Sequence, residues 1–190
     1  HPDLTDDFVT RFLLYTDSQK YDVELIVVDD GSRDDARKAV QQIASRDSHI
    51  TLIQCEENGG FAKASNTGIN AATGEYVIAM SNDVQILDTP WLDQLLKPLL
   101  EGKKCITGGQ YINYNSITYL DGELIDYLGG WCVCMPQQFI VELKGVMNGE
   151  VFMEAMGQGY FEDVLLSFIA KRVLGYELIA PMPNSLNHIG

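Results

Sequence analysis

Val23-Glu24-Leu25-Ile26-Val27-Val28-Asp29-Asp30-Gly31-Ser32 is the stretch on which the fold depends. Its apolar, β-branched run from Val23 to Val28 has the composition of a buried strand, and the Asp29-Asp30-Gly31-Ser32 that ends it is turn chemistry. Arg33 to Ser45 follows with Ala36, Val40 and Ile43 at the spacing of one helix face. The unit then repeats. Ile50 to Cys55 reads as a strand, Gly60 to Ala72 as a helix ended by Thr73-Gly74, and Glu75 to Met80 as another strand. Alternation at this spacing predicts an α/β fold, a doubly wound and mostly parallel central sheet.

Ser81-Asn82-Asp83 follows the third strand directly, and Pro90 sits near the start of a helix through Trp91, Leu95, Leu96 and Leu99. Ligands of open α/β sheets bind outside the carboxyl ends of strands, so Asp29-Asp30 and Asp83 fall on the functional edge. Beyond Gly102 the pattern changes. Ile117 to Leu120 and Glu123 to Tyr127 flank Asp121-Gly122, a dipeptide that favours a tight hairpin turn. Trp131 to Met135 reads as a strand, and Phe161-Glu162-Asp163 opens a helix whose Val164, Leu165, Phe168, Ile169 and Val173 lie on one side. Tyr176 to Ala180 is a closing strand, and Pro181-Met182-Pro183 leads to His188. Without repeats, low-complexity tracts or a linker, residues 1–190 read as one domain, with a first half to about residue 100 and a second half beyond it.

A formal net charge of −14, from 27 acidic and 13 basic residues, repels polyanions and argues against nucleic-acid binding. A small anionic ligand would need helix N-termini, backbone N–H groups or a divalent cation to enter an acidic cleft. Cys55, Cys105, Cys132 and Cys134 form no CxxC framework and read as reduced thiols of a cytoplasmic protein, with too few partners for zinc. No apolar run reaches the length of a membrane span.

Each candidate residue has a structural and a chemical reading. Asp29-Asp30 serves equally as turn and cap chemistry or as an acceptor for a base or ribose. Asp83, beside Asn82, is a turn residue or a hard oxygen ligand for Mg2+ or Mn2+ on a diphosphate. Glu162-Asp163 suits a helix N-terminus through the dipole, or supplies a general base for an acceptor hydroxyl. Tyr160, Phe161 and Trp131 offer aromatic surface for a sugar or for the core. His188 is a surface histidine or a nitrogen ligand to the same cation.

Three spaced motifs, Ile26-Val27-Val28-Asp29-Asp30-Gly31-Ser32, Asn58-Gly59-Gly60-Phe61-Ala62-Lys63-Ala64-Ser65-Asn66-Thr67-Gly68-Ile69 and Ala72-Thr73-Gly74-Glu75-Tyr76-Val77, resemble the family-two glycosyltransferases of GT-A fold. Ser81-Asn82-Asp83 occupies that family's DxD position. Gly129-Gly130-Trp131-Cys132 looks like its acceptor-side glycine segment, and Phe161-Glu162-Asp163-Val164-Leu165-Leu166-Ser167 like its ED-containing helix. The resemblance implies that Asp29 contacts the nucleotide base and that Asp83 binds metal and diphosphate, with His188 completing the metal site. It implies Asp163 as the catalytic base and Glu162 as a supporting carboxylate. Asp30, Gly31, Ser32, Asn58, Gly60, Lys63, Asn66, Ser81 and Asn82 would belong to the nucleotide-sugar surface, and Gly130, Trp131 and Tyr160 to the acceptor surface.

The implied reaction is inverting, from a UDP, dTDP or GDP sugar to a saccharide, lipid-linked glycan or protein hydroxyl, with Mn2+ or Mg2+ as cofactor. The implied location is the cytoplasm, with membrane association through a larger parent protein or complex. Two departures stand out: Ser81 replaces the first Asp of DxD, and the family's usual first strand, ending in a Pro-Thr-Tyr-Asn-like segment, is not in the chain. They keep open a degenerate, non-catalytic nucleotide-sugar-binding module. A phospho-receiver domain also places Asp pairs at strand ends, but the motif at 58–69 and the Glu162-Asp163 helix argue against it.

Overall fold

The computed structural model describes residues 1–118, 122, 124–156, 161–181 and 184–190. Helix α1 (Pro2–Tyr15) precedes β1 (Leu25–Asp29), α2 (Asp34–Ala44), β2 (Ile50–Gln54), α3 (Gly60–Ala71) and β3 (Tyr76–Met80). Then come β4 (Val84–Ile86), α4 (Trp91–Leu100), β5 (Cys105–Gly108), β6 (Tyr111–Thr118) and β7 (Leu124–Leu128). The chain continues through β8 (Cys132–Pro136), α5 (Gln137–Val146), α6 (Glu162–Phe168), β9 (Glu177–Ile179) and β10 (Leu186–His188). Glu154–Met156 forms a 3₁₀ turn, and α6 continues into a π turn at Ile169–Val173.

The α/β class follows the alternation read above, but the pairing is mixed. Strands β1 and β2 are parallel, from Leu25 opposite Ile50 to Asp29 opposite Gln54. A second sheet has the order β3-β8-β5-β9, in which β8 is antiparallel to both neighbours and only β5-β9 is parallel. The cause is local: β8 enters from the β6-β7 hairpin, whereas a parallel neighbour would need a crossover helix. Asp121 of the expected turn lies outside the described residues. Among the described residues β1 and β3 are not paired with each other, although α3 packs against both, so each has one edge without a strand partner.

Some elements have weak sequence signals. Helix α1 buries Thr5, Phe8, Val9 and Phe12 along one face, but Leu13 and Leu14 are exposed outside that stripe and blur it in the sequence. Strands β4 and β10 are three residues long and pair only with each other among the described residues. Both gain their stability from tertiary contact, since strands this short are marginal alone.

Two cores result, with β8 between them. Val133 and Met135 join the cluster made by α3, α5 and α6, around Phe139, Leu143, Phe152 and Leu166. Cys132 and Cys134 point the other way, into the cluster made by α1 and α4 around Phe12, Trp91 and Leu95. All four cysteines are free. Burial pushes the Cys134 thiol up to about 12 and the Cys105 thiol up to about 11, and it raises Cys132 as well. These three therefore remain protonated and shielded at pH 8, while Cys55 is partly exposed. Labelling with a thiol reagent at pH 8 is expected to find only Cys55 in the folded chain and all four cysteines in denaturant. Fast native labelling at Cys105 would contradict the packing of β5, and at Cys132 or Cys134 that of β8. No helix among the described residues is long and apolar enough to cross a membrane.

Candidate active site

At the end of β1 the two carboxylates have different work. Asp29 is buried; its Oδ1 accepts the Ser32 N–H at 3.2 Å and its Oδ2 accepts Gln54 Nε2 at 3.0 Å. Asp30 reaches the next turn, where Oδ1 accepts the Gly59 N–H at 2.8 Å and Oδ2 the Gly60 N–H at 2.9 Å. It thereby caps the positive end of α3 from a distant part of the chain. Gly31 makes this approach possible, because its φ is +74° and a Cβ there would lie 2.4 Å from the Asn58 nitrogen. Asp29, Asp30, Gly31, Ser32, Asn58 and Gly60 thus form one pair of joined turns, with Lys63 exposed on the first turn of α3.

Asn66 lies elsewhere. Its Oδ1 accepts the N–H groups of Val151 and Phe152 at 3.1 and 3.0 Å, and its Nδ2 donates to the Phe152 carbonyl at 2.7 Å and to Glu154 Oε1 at 3.1 Å. An amide with both donors and both acceptor positions engaged has nothing left for a nucleotide. The expectation that Asn66 joins the nucleotide surface is therefore corrected: it is a buried clamp on the 151–154 segment.

Ser81-Asn82-Asp83 follows the carboxyl end of β3, in the other sheet. Asn82 turns away, donating through Nδ2 to Thr5 Oγ1 on α1 at 3.0 Å. Asp83 turns inward, where the β4-β10 pairing brings His188 to it: Nε2 stands 3.3 Å from Asp83 Oδ2, and the Ile189 N–H donates to the Asp83 carbonyl at 3.0 Å. Asp83 Oδ1 is buried without a hydrogen-bond partner. The Trp131 indole stacks on the His188 ring, centroids 5.2 Å apart and planes within 4°.

Opposite them, α6 begins with Glu162 buried and its Oε2 unpartnered. Asp163 accepts the Gly130 N–H through Oδ2 at 3.0 Å and its neighbour's Val164 N–H through Oδ1 at 2.8 Å. The preceding Phe161 is exposed and left-handed, with φ +77°, an unfavourable conformation for a non-glycine residue that marks a sharp entry into α6.

Ser81, Gly130, Trp131, Glu162, Asp163 and His188 line one cleft of about 410 Å³, with Phe61, Gln110, Ile112 and Gly129 completing the wall. A neighbouring hollow of about 620 Å³, lined by Gly109, Tyr111, Ala180, Leu186 and Asn187, shares Gln110, Trp131 and His188 with it. The sequence reading missed Gln110, Ile112 and Thr5; only the glycines at 108 and 109 hinted that the chain comes close there. Tyr160 lies outside the described residues. A cleft with the Asp163 carboxylate and the His188 imidazole in its lining, and Asp83 in contact with that histidine, can accept a proton and help to hold a cation.

A family model described as Glycosyl transferase family 2 matches residues 7–156. Among curated proteins, Glycosyltransferase GlyG of Streptococcus pneumoniae is 29% identical over 128 residues, covering 67% of this chain and 41% of that protein. Among solved structures, the mannosyltransferase PcManGT of Pyrobaculum calidifontis, in complex with GDP-Man and Mn2+, superposes with a TM-score of 0.72 at 20% identity, over 96% of this chain and 52% of that one. GalNAc-T7 with UDP, GalNAc and Mn2+ superposes at a TM-score of 0.66 and 15% identity, over 86% of this chain and 36% of that one. This chain therefore spans about half or less of the length of the proteins it matches.

Proposed function

The chain belongs to glycosyl transferase family 2, and from that premise we propose that it is the donor-binding and catalytic part of an inverting, metal-dependent glycosyltransferase. The observation that carries the reading is the convergence on one cleft of the Asp163 carboxylate and the His188 imidazole, which is itself held 3.3 Å from Asp83 Oδ2. The donor is a nucleoside diphosphate sugar of UDP, GDP or dTDP type, and the acceptor offers a hydroxyl group.

The donor set fits a divalent cation. Asp83 offers a hard oxygen in Oδ1, which is buried without a partner, and His188 offers an imidazole nitrogen close to Oδ2. Among the described residues no third His, Cys, Asp or Glu joins them, so a diphosphate and water would complete the coordination. When bound, the cation would neutralise charge on the departing nucleoside diphosphate. A nitrogen ligand favours Mn2+ over Mg2+.

The chain's own residues supply the rest. Two backbone N–H bonds hold Asp163 in one rotamer without exhausting the lone pairs of either oxygen, so it remains able to take the acceptor proton. The acceptor oxygen, losing its proton to Asp163, would attack the anomeric carbon from the side opposite the diphosphate; the bond to the diphosphate oxygen breaks, the nucleoside diphosphate leaves, and the anomeric centre inverts. Gly130 matters sterically, because a Cβ there would stand 3.0 Å from the Asp163 Cβ. Asp29, buried at the edge of the joined turns, stands as the acceptor for the nucleotide base or ribose.

Calorimetric titration with UDP, GDP and dTDP, in Mn2+ and then in EDTA, tests the reading. One nucleotide is expected to bind in a Mn2+-dependent way, and Asp83→Ala to weaken that binding about 10-fold to 100-fold, roughly 1.4 to 2.7 kcal/mol. Equal affinity with and without metal would remove the cation from the site. Absence of binding by all three would favour a non-catalytic module.

A further inference from the structure

We propose that Trp131 is a positioning residue for the metal centre, fixing the plane and reach of the His188 imidazole and the loop that carries Asp83. The inference rests on the reading of Asp83 and His188 as metal ligands. His188 is poorly secured by its own element: β10 has three residues, pairs with β4, and leaves the histidine exposed near the described end of the chain. Its ring is held by two contacts only among those described, the 3.3 Å approach to Asp83 and the parallel stack on Trp131. Stacking sets the ring plane, which the carboxylate contact alone does not.

The indole is in turn fixed by absence of side chains around it. A Cβ at Gly109 would lie 2.1 Å from the indole Cη2, and one at Gly129 would lie 2.8 Å from Nε1. At both glycines a side chain would collide with the indole, so their absence of a Cβ is what lets the ring lie where it does. The backbone of the same residue also accepts the Ser81 N–H at 2.9 Å, two residues before Asp83. Trp131 therefore reaches both sides of the metal pair, one through its carbonyl and the other through its ring. The ring face that covers His188 is closed to a sugar, which leaves positioning as the role of that face.

The test is a Mn2+ titration of the full chain, metal alone, followed by electron paramagnetic resonance of the free ion. Trp131→Leu, which fills space without an aromatic face, is expected to weaken Mn2+ binding about threefold to tenfold. Trp131→Phe, which retains a stack, should restore most of it. In a His188→Ala background the Leu substitution should cost nothing further, because the ring it positions is gone. Weaker binding by Trp131→Leu in that background too, or no rescue by Phe, would make Trp131 a merely structural residue and overturn the proposal. Unchanged binding in His188→Ala would remove the metal reading and this inference with it. A loss in His188→Ala but none in Trp131→Leu would overturn the positioning role alone.

Discussion

Asp163→Asn is expected to lower transfer by a factor of about 10² to 10⁴, the contribution of a positioned general base, while nucleotide affinity stays within about twofold of wild type. Asparagine is close to isosteric and can still accept one of the two backbone N–H bonds. Its Nδ2 would then face a second N–H, donor against donor, and neither atom could accept the acceptor's proton. Nucleotide binding should survive because Asp163 hydrogen-bonds to Gly130 and Val164, not to Asp83 or His188. Single-turnover rates beside a nucleotide titration separate the two effects. Wild-type turnover in the variant would remove Asp163 from the base role and turn attention to Glu162, whose buried Oε2 has no partner.

A loss of stability as large as that of truncating a buried aromatic is expected at Asn66, a polar position. Asn66→Ala strips acceptors from the N–H groups of Val151 and Phe152 and a donor from the Phe152 carbonyl, next to side chains that are 1% and 0% exposed. Each buried polar group left unpaired costs about 1 to 3 kcal/mol, so a total of about 3 to 5 kcal/mol is expected, with some relief from water entry. A domain has only about 5 to 15 kcal/mol to lose. Equilibrium unfolding in urea measures it, and a change below about 1 kcal/mol would show that the clamp is not what holds the segment. Because that segment precedes α6, the variant should also loosen the approach to Glu162 and Asp163.

The first half of the chain was legible in the sequence because its strands and helices are long enough to carry their own periodicity, from Leu25 through Met80. The order of the second half was not. Strand β8 enters antiparallel between β3 and β5, a choice made by where the hairpin delivers it and by no residue within it. Asp83, Glu162 and Asp163 were readable as strand-end and helix-start carboxylates. The meeting of His188 with Asp83 was open in the sequence only as one of two readings of His188, which the family resemblance favoured, since a pairing between two three-residue strands has no local signal. Asn66 shows the converse limit: a residue inside a recognisable motif can serve the interior of the fold, and only its four hydrogen bonds reveal that.

Strand β8 starts at the residue after Trp131 and presents Cys132 and Cys134 to one core, Val133 and Met135 to the other, all fully buried. Neither side has room to absorb a larger residue or slack to forgive a smaller one. The strand is therefore a poor place for evolution to experiment. Changes in what the cleft admits are more readily made in the segments at its mouth, at Gln110 and Gly130, than in the strand that supports them.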